Sequence, residues 1–462
     1  MTFGAVPGAG RKTRADAALV AGWLVAAVIY CAAAVWLFAH PASLSSDDAL
    51  FFTRGLTRFS ILDFSPQFPG YPGFIAMGRL LLPVSGSPLA ALGLLTTLLA
   101  LSLPPLAGLV VARNSDEGWP ALAAFVLTLA MPLLPDLALS LLSDGAPIAF
   151  LLLGLTLLPQ RGDAARKWPA FLAGVALGWA AACRPSDAAL LAGAAAGALV
   201  VEPRLFWPAL AGVLAVVLPT LGVMLGLEPL YFAEGMRFTA GHALIWGNTP
   251  FSAGGPNGSW LETLAGLPGG LALVLLLAVA TLVSLSKLRR DPPAMAAATV
   301  ALLAHGIWIV AFQNPDSLRH LAPLLVLGPV VVVGVAGTLP RIGMAAVGLC
   351  FAIELWSGFS LLDLSIDARP PLAAAQQWLG SQPAGAAIAT NEGVFLLRAV
   401  LPSIRVYDMH YPEDARLGLG LAAGPAYRLT STPLVGQSPL ATFKGRFAGE
   451  PTLWLYRVPK AG

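Results

Sequence analysis

The chain has 462 residues, 57% hydrophobic and 11% charged, with a formal net charge of +3 and a mean hydropathy of +0.76. Soluble domains carry about 25% charged residues, so this composition excludes a soluble globule and points to a chain largely held in a bilayer. The absence of a basic run with interleaved aromatics argues against a nucleic-acid partner. The odd set Cys31, Cys183 and Cys350, in or near apolar segments, implies no disulfide framework.

Apolar runs are read at 17–39, 88–111, 119–135, 144–159, 168–183, 187–201, 206–227, 263–286, 294–313, 319–338 and 341–362. The expected fold is an α-helical polytopic membrane protein of about eleven spans. Several runs fall short of the ~20 residues needed to cross the hydrocarbon, most of all in 144–201. The first run follows Arg11, Lys12 and Arg14 like a signal peptide. It is longer than the usual apolar region of about 7–15 residues and more spans follow, so it reads as a retained anchor.

The connections alternate in charge. One set holds Arg11, Lys12, Arg14, Arg113, Arg161, Arg166, Lys167, Arg204, Lys287, Arg289, Arg290 and Arg341. The other holds only Arg54, Arg58, Arg79, Arg184, Arg237 and Arg319, spread over longer loops. The positive-inside rule then places the N-terminus in the cytoplasm of a bacterial inner membrane and the C-terminus outside. Acids, His, Trp and Tyr collect in the outer loops, so any chemistry belongs on that side. Two units are expected: a membrane unit over 1–362, with amphipathic helices in its outer loop 40–87, and a soluble α/β unit over 363–462. Within the latter a helix is read at 371–379 and strands at 386–390, 404–407 and 452–458.

The pair Asp47-Asp48 opens the first outer loop. Ser45 and Ser46 before it read as a helix cap, and the dipole there favours acids and an ionised Asp47. At 100° per residue Asp47, Arg54 and Arg58 share one face, opposite Phe52, Leu56 and Phe59. This predicts a helix lying on the membrane surface, with its charges toward water; an ordinary capped helix with solvated charges is the plain alternative. The turn Gln67-Phe68-Pro69-Gly70-Tyr71-Pro72-Gly73 is a loop punctuator, in which Tyr71 is a candidate lining residue for a sugar or lipid-phosphate pocket.

Further along, Ser143-Asp144 opens the fourth span from outside, where dipole stabilisation alone would justify the acid. Arg184 at the outer end of the fifth span needs an anion, either Asp187 or a phosphate. Arg319-His320 enters the tenth span, its guanidinium suited to phosphate, with a snorkelling arginine as the bland reading. The loop 228–262 holds His242 and Trp246 among Gly and Asn, a mixture suited to carbohydrate. No His/Cys/Asp constellation has metal-ligand spacing, and Walker, dinucleotide and serine-elbow motifs are absent.

In order and sidedness these residues resemble the GT-C superfamily of polytopic glycosyltransferases, near the protein mannosyltransferases and the lipid A aminoarabinose transferases. The likeness rests on Asp47-Asp48, the Pro-Gly-Tyr-Pro turn, Ser143-Asp144, Arg184-Pro185, and Arg319-His320 with Pro323, and it covers most of residues 17–362. It implies a catalytic carboxylate at Asp47, with Asp48 beside it, and a supporting acid at Asp144. It implies lipid-phosphate contacts from Arg319, Arg184, Arg54 or Arg58, and substrate contacts from Tyr71, His242, Trp246 and His320. The first outer loop lacks the lysine that aminoarabinose transferases use against the lipid phosphate.

The implied activity is sugar transfer from a polyprenyl-phosphate donor to a lipid, glycan or protein acceptor outside the membrane. No cofactor is required, although a divalent cation at Asp47/Asp48 is compatible with the pair. Two other classes stand beside this one. A secondary transporter would carry ionisable residues mid-bilayer in related halves, whereas these spans are nearly free of charge apart from Glu354. A lipid-linked glycan ligase or flippase would concentrate its polar residues in a late outer loop.

Overall fold

The structure, a computed structural model, describes residues 9–161, 167–246, 251–252, 258–337 and 340–459, without the side chains of 9–15, 246 and 340. The chain is mainly helical. The first half contains α1 (Ala9–Ala39), α2 (Asp47–Thr57), α3 (Pro72–Ser85), α4 (Pro88–Ala112), α5 (Gly118–Ala130), α6 (Leu134–Leu139), α7 (Gly145–Leu157), α8 (Lys167–Cys183), α9 (Ala188–Val201) and α10 (Phe206–Leu227). There follow α11 (Tyr231–Gly241), α12 (Trp260–Gly266), α13 (Gly270–Ser286), α14 (Pro293–Phe312), α15 (Ala322–Ala336) and α16 (Pro340–Ser360). Each apolar run read from the sequence is helical, nine of the eleven over one α-helix; 119–135 takes in α5 and the start of α6, and 263–286 takes in α12 and α13.

The apolar helices differ in length. Among the described residues six helices are long and apolar enough to cross a membrane, or up to seven if α12 and α13, bent by 116°, form one broken span. At 13 residues each α5 and α7 fall short, since a helix rises only ~1.5 Å per residue against ~30 Å of hydrocarbon. The chain leaves helical geometry after Ala130 and again at Leu141, whose φ of 61° is left-handed. The 5–6 and 6–7 connections are buried, and so are Asp136 on α6 and Asp144 at the start of α7.

Helix pairs are fixed by small residues. A Cβ on Gly174 of α8 would lie 2.0 Å from the Ala209 carbonyl oxygen, and one on Gly212 of α10 would lie 2.0 Å from that of Phe171. In α9, Gly197 is likewise 2.3 Å from the Ala296 oxygen of α14 by the same measure. Lipid tails are as apolar as leucine, so such close backbone approach supplies the packing energy that water-driven burial gives a soluble core.

The C-terminal segment contains α17 (Pro371–Gly380), β1 (Ala387–Thr390), α18 (Val394–Val400), β2 (Arg405–Asp408), α19 (Pro412–Gly420), β3 (Ala426–Thr430), β4 (Ala441–Phe443) and β5 (Leu453–Val458). The strands order as β2-β1-β3-β5-β4. β1 runs parallel to β2 and β3, and β5 antiparallel to β3 and β4. Helix α17 and three of the strands follow the sequence reading; α18, α19, β3 and β4 were not anticipated.

Helix α2 does not rest on the membrane surface. Ala49, Phe52 and Leu56 pack with Phe74, Leu92 and Leu142 of the membrane unit. Leu50 and Phe51 join the core of the C-terminal sheet with Leu372, Leu396 and Leu455. Apolar residues on both flanks of one short helix thus wedge it between the two cores.

Candidate active site

Ser46 caps α2 by accepting the Ala49 N–H, which sets Asp47 and Asp48 in its first turn. Neighbours on a helix differ by 100°, so the two carboxylates diverge. Asp47 Oδ1 accepts the Leu396 N–H of α18 at 2.7 Å. Burial pushes its carboxyl up to about 6, the Leu396 and Phe395 amides draw it down, and Asp48 and Glu392 push it up further. The helix dipole therefore does not dominate, contrary to the sequence reading. Asp48 turns the other way: its Oδ1 accepts the Gln67 side-chain amide at 2.9 Å and its Oδ2 the Arg319 guanidinium at 3.0 Å.

Below this pair lies a second, more deeply buried group. Arg184 contacts Asp144 at 3.1 Å and Asp187 at 3.3 Å and donates to Ser143 Oγ at 3.2 Å. All three charged side chains are 10% exposed or less. Two carboxylates thus answer the anion that Arg184 requires. An isolated buried charge would be far costlier than this arrangement.

Tyr71 links the two groups. It caps α3 in a left-handed conformation, φ 47°, and its ring packs edge-on against Phe52 at 4.9 Å. Burial pushes the phenol up to about 12, and Arg184, Asp48, Arg319 and Asp144 all lie within electrostatic reach of it. Several buried polar atoms around this cluster have no hydrogen-bond partner: Gln67 Oε1, Asp144 Oδ2, Arg319 Nε and His305 Nδ1. Native interiors rarely leave such atoms unpaired.

The remaining candidates lie at different distances from the cluster. His320 follows Arg319, and its carbonyl oxygen faces His305 Nε2 at 3.1 Å. His242 stacks on Phe238 at 6.1 Å and senses the charges of Asp48, Arg319 and His410. The side chain of Trp246, with Gly247, Asn248 and Thr249, lies outside the described residues. Arg54 and Arg58 are not brought to the cluster. Helix α2 ends at Thr57, so Arg58 leaves the Asp47 face and pairs on the surface with Asp63 at 2.6 Å. Arg54 is exposed.

Sequence reasoning missed Gln67, which looked like part of a turn, and the His410–Asp408 pair, joined at 2.7 Å beyond the carboxyl end of β2. Asp47 Oδ1 and the Asp48 carboxylate serve separate partners. No cluster of three or more His, Cys, Asp or Glu suited to a metal occurs among the described residues.

No protein-family profile and no curated protein matches the chain. Solved structures do. The crystal structure of ArnT from Cupriavidus metallidurans bound to undecaprenyl phosphate aligns with 94% of this chain and 98% of its own, at a TM-score of 0.54 and 13% identity. The apo form of the same protein aligns over 96% and 98%, at 0.51 and 13%. The chain therefore has the polytopic ArnT fold, as the GT-C resemblance in its sequence led one to expect.

Proposed function

We propose that the chain is a GT-C-type glycosyltransferase that moves a sugar from a polyprenyl-phosphate donor to a hydroxyl acceptor on the outer face of the membrane. The observation that carries this reading is Arg319: a guanidinium at the mouth of a span, paired with Asp48, whose buried Nε still lacks a partner. A phosphate oxygen is the natural acceptor for that N–H, and a guanidinium can hold two such oxygens at once. Beside the Arg319 turn, a small apolar groove is lined by Leu318, Leu321, Leu324, Leu325, Leu264 and Leu267. That lining suits a prenyl chain. The likeness in fold to ArnT, solved with undecaprenyl phosphate, supports the same donor class.

The chemistry is a single inverting displacement. The acceptor oxygen attacks the anomeric carbon, the bond from that carbon to the phosphate oxygen breaks, and the electron pair leaves with the polyprenyl phosphate. Arg319 stabilises the departing charge, and a carboxylate of the Asp47-Asp48 pair takes the acceptor proton. Arg184 has its charge answered by Asp144 and Asp187, so its role is to hold Asp144, whose free Oδ2 accepts a sugar hydroxyl. Native mass spectrometry with added undecaprenyl phosphate tests the donor site. The reading expects one bound equivalent in wild type and none in Arg319→Ala; a folded wild type that retains none would contradict it.

A further inference from the structure

We propose that Asp48, not Asp47, is the carboxylate that takes the acceptor proton, and that the donor's phosphate frees it by drawing Arg319 away. The inference rests on the transferase reading above and assigns the base within it.

The two aspartates are held in opposite ways. Asp47 is committed to the backbone of α18, through Leu396 at 2.7 Å. Beside it Phe51 and Phe395 meet edge to face at 5.3 Å. A proton taken at Oδ1 would displace the Leu396 N–H that joins α2 to the sheet. Asp48 is held only by side chains. Gln67 grips Oδ1, and Arg319 covers Oδ2, the oxygen a proton would approach.

In this state Asp48 Oδ2 is blocked, because a guanidinium N–H at 3.0 Å already donates to it. A phosphate that accepts Nε and a terminal N–H of Arg319 competes directly with Asp48 for the same fork. Once the guanidinium turns to the phosphate, Oδ2 is exposed and Gln67 alone keeps the carboxylate in register. The acceptor O–H proton then passes to Oδ2 as the new C–O bond forms, and the electron pair of the breaking bond goes to the phosphate that Arg319 holds. Charge balance is kept throughout, since Arg319 always faces one anion.

The test is the affinity for undecaprenyl phosphate of the full-length protein in detergent, measured for wild type, Asp48→Asn, Asp47→Asn and Arg319→Ala. Asparagine keeps the Gln67 contact but no longer competes for Arg319, so Asp48→Asn is expected to bind the lipid about three- to tenfold more tightly. Asp47→Asn removes the same unit of charge one residue away and is expected to stay within about twofold of wild type. Arg319→Ala should weaken binding at least about tenfold. Inorganic phosphate at the same concentration should not displace the lipid, and its doing so would assign the site to free phosphate and overturn the proposal. Equal or weaker binding by Asp48→Asn, or equal tightening by Asp47→Asn, would overturn it too. A wild type that binds no undecaprenyl phosphate would remove the transferase reading itself.

Discussion

Asp47 and Leu396 meet across 349 residues of sequence: the carboxylate in the first turn of α2 accepts the backbone N–H near the start of α18 at 2.7 Å. The contact ties the first outer loop to the C-terminal sheet. Phe64 reinforces it by packing against Phe51 at 5.3 Å, Phe395 at 5.6 Å and Phe238 of α11 at 5.7 Å. Three parts of the chain thus share one aromatic seam above the Asp48–Arg319 pair.

Breaking the seam should loosen the sheet from the membrane unit. A hydrogen bond to a charged group contributes about 1.5–3 kcal/mol, and each aromatic pair about 0.5–1.5 kcal/mol beyond its buried area. Asp47→Ala and Phe64→Ala are each expected to raise amide exchange across 394–400, and Phe64→Ala across 231–241 as well. Exchange unchanged in 394–400 for Asp47→Ala would mean that the contact does not hold the sheet.

Arg184→Ala should be the most damaging substitution in the cluster. It strands Asp144 and Asp187, both buried, without their counter-charge, at a cost of about 3–5 kcal/mol. Adding Asp187→Asn should restore part of the lost thermal stability. A double variant no more stable than Arg184→Ala would show that the loss comes from packing rather than from uncompensated charge.

Asp136 gives a pH signature. It is buried at 4% exposure on α6, under the turn that carries Gly449. Burial first, then Asp144 and Glu450, push its carboxyl up to about 7 from 3.8. A raised acid binds its proton more tightly when folded, so stability falls as pH rises from about 4 to about 7. Asp136→Asn stays neutral and should escape that fall. Its melting temperature should exceed that of wild type at pH 8 and match it near pH 4. An equal difference at both values would point to a cause other than ionisation.

The helices were legible in the sequence because apolar runs are a local signal; α4, α10 and α14 follow their runs closely. Their lengths were less so: Pro132 and Pro135 end α5 just after Ala130 inside a run that still reads as apolar, and the left-handed turn at Leu141 carries no local signal. Helix α18 was missed since seven residues cannot sustain a helix alone; it stands because Leu396 and Leu397 are buried in the sheet core and Asp47 caps it. Within the site, the residue types were readable and the pairings were not. Asp48 and Arg319 are 271 residues apart, and the face each adjacent aspartate takes depends on what packs against α2. Arg58 seemed to share the Asp47 face only on the assumption that α2 continued past Thr57, whereas Arg54 stays on the helix but is exposed.

Turnover is the most direct test of the central claim. Wild type and Arg319→Ala in nanodiscs are given polyprenyl-phosphate-linked sugars one at a time, with membrane extract as the source of acceptors, and release of the lipid phosphate is followed. The account predicts that wild type consumes one donor with no ion gradient, and that Arg319→Ala does so at least about 100-fold more slowly. Folded wild-type protein that consumes no donor, or an Arg319→Ala variant as fast as wild type, would contradict it.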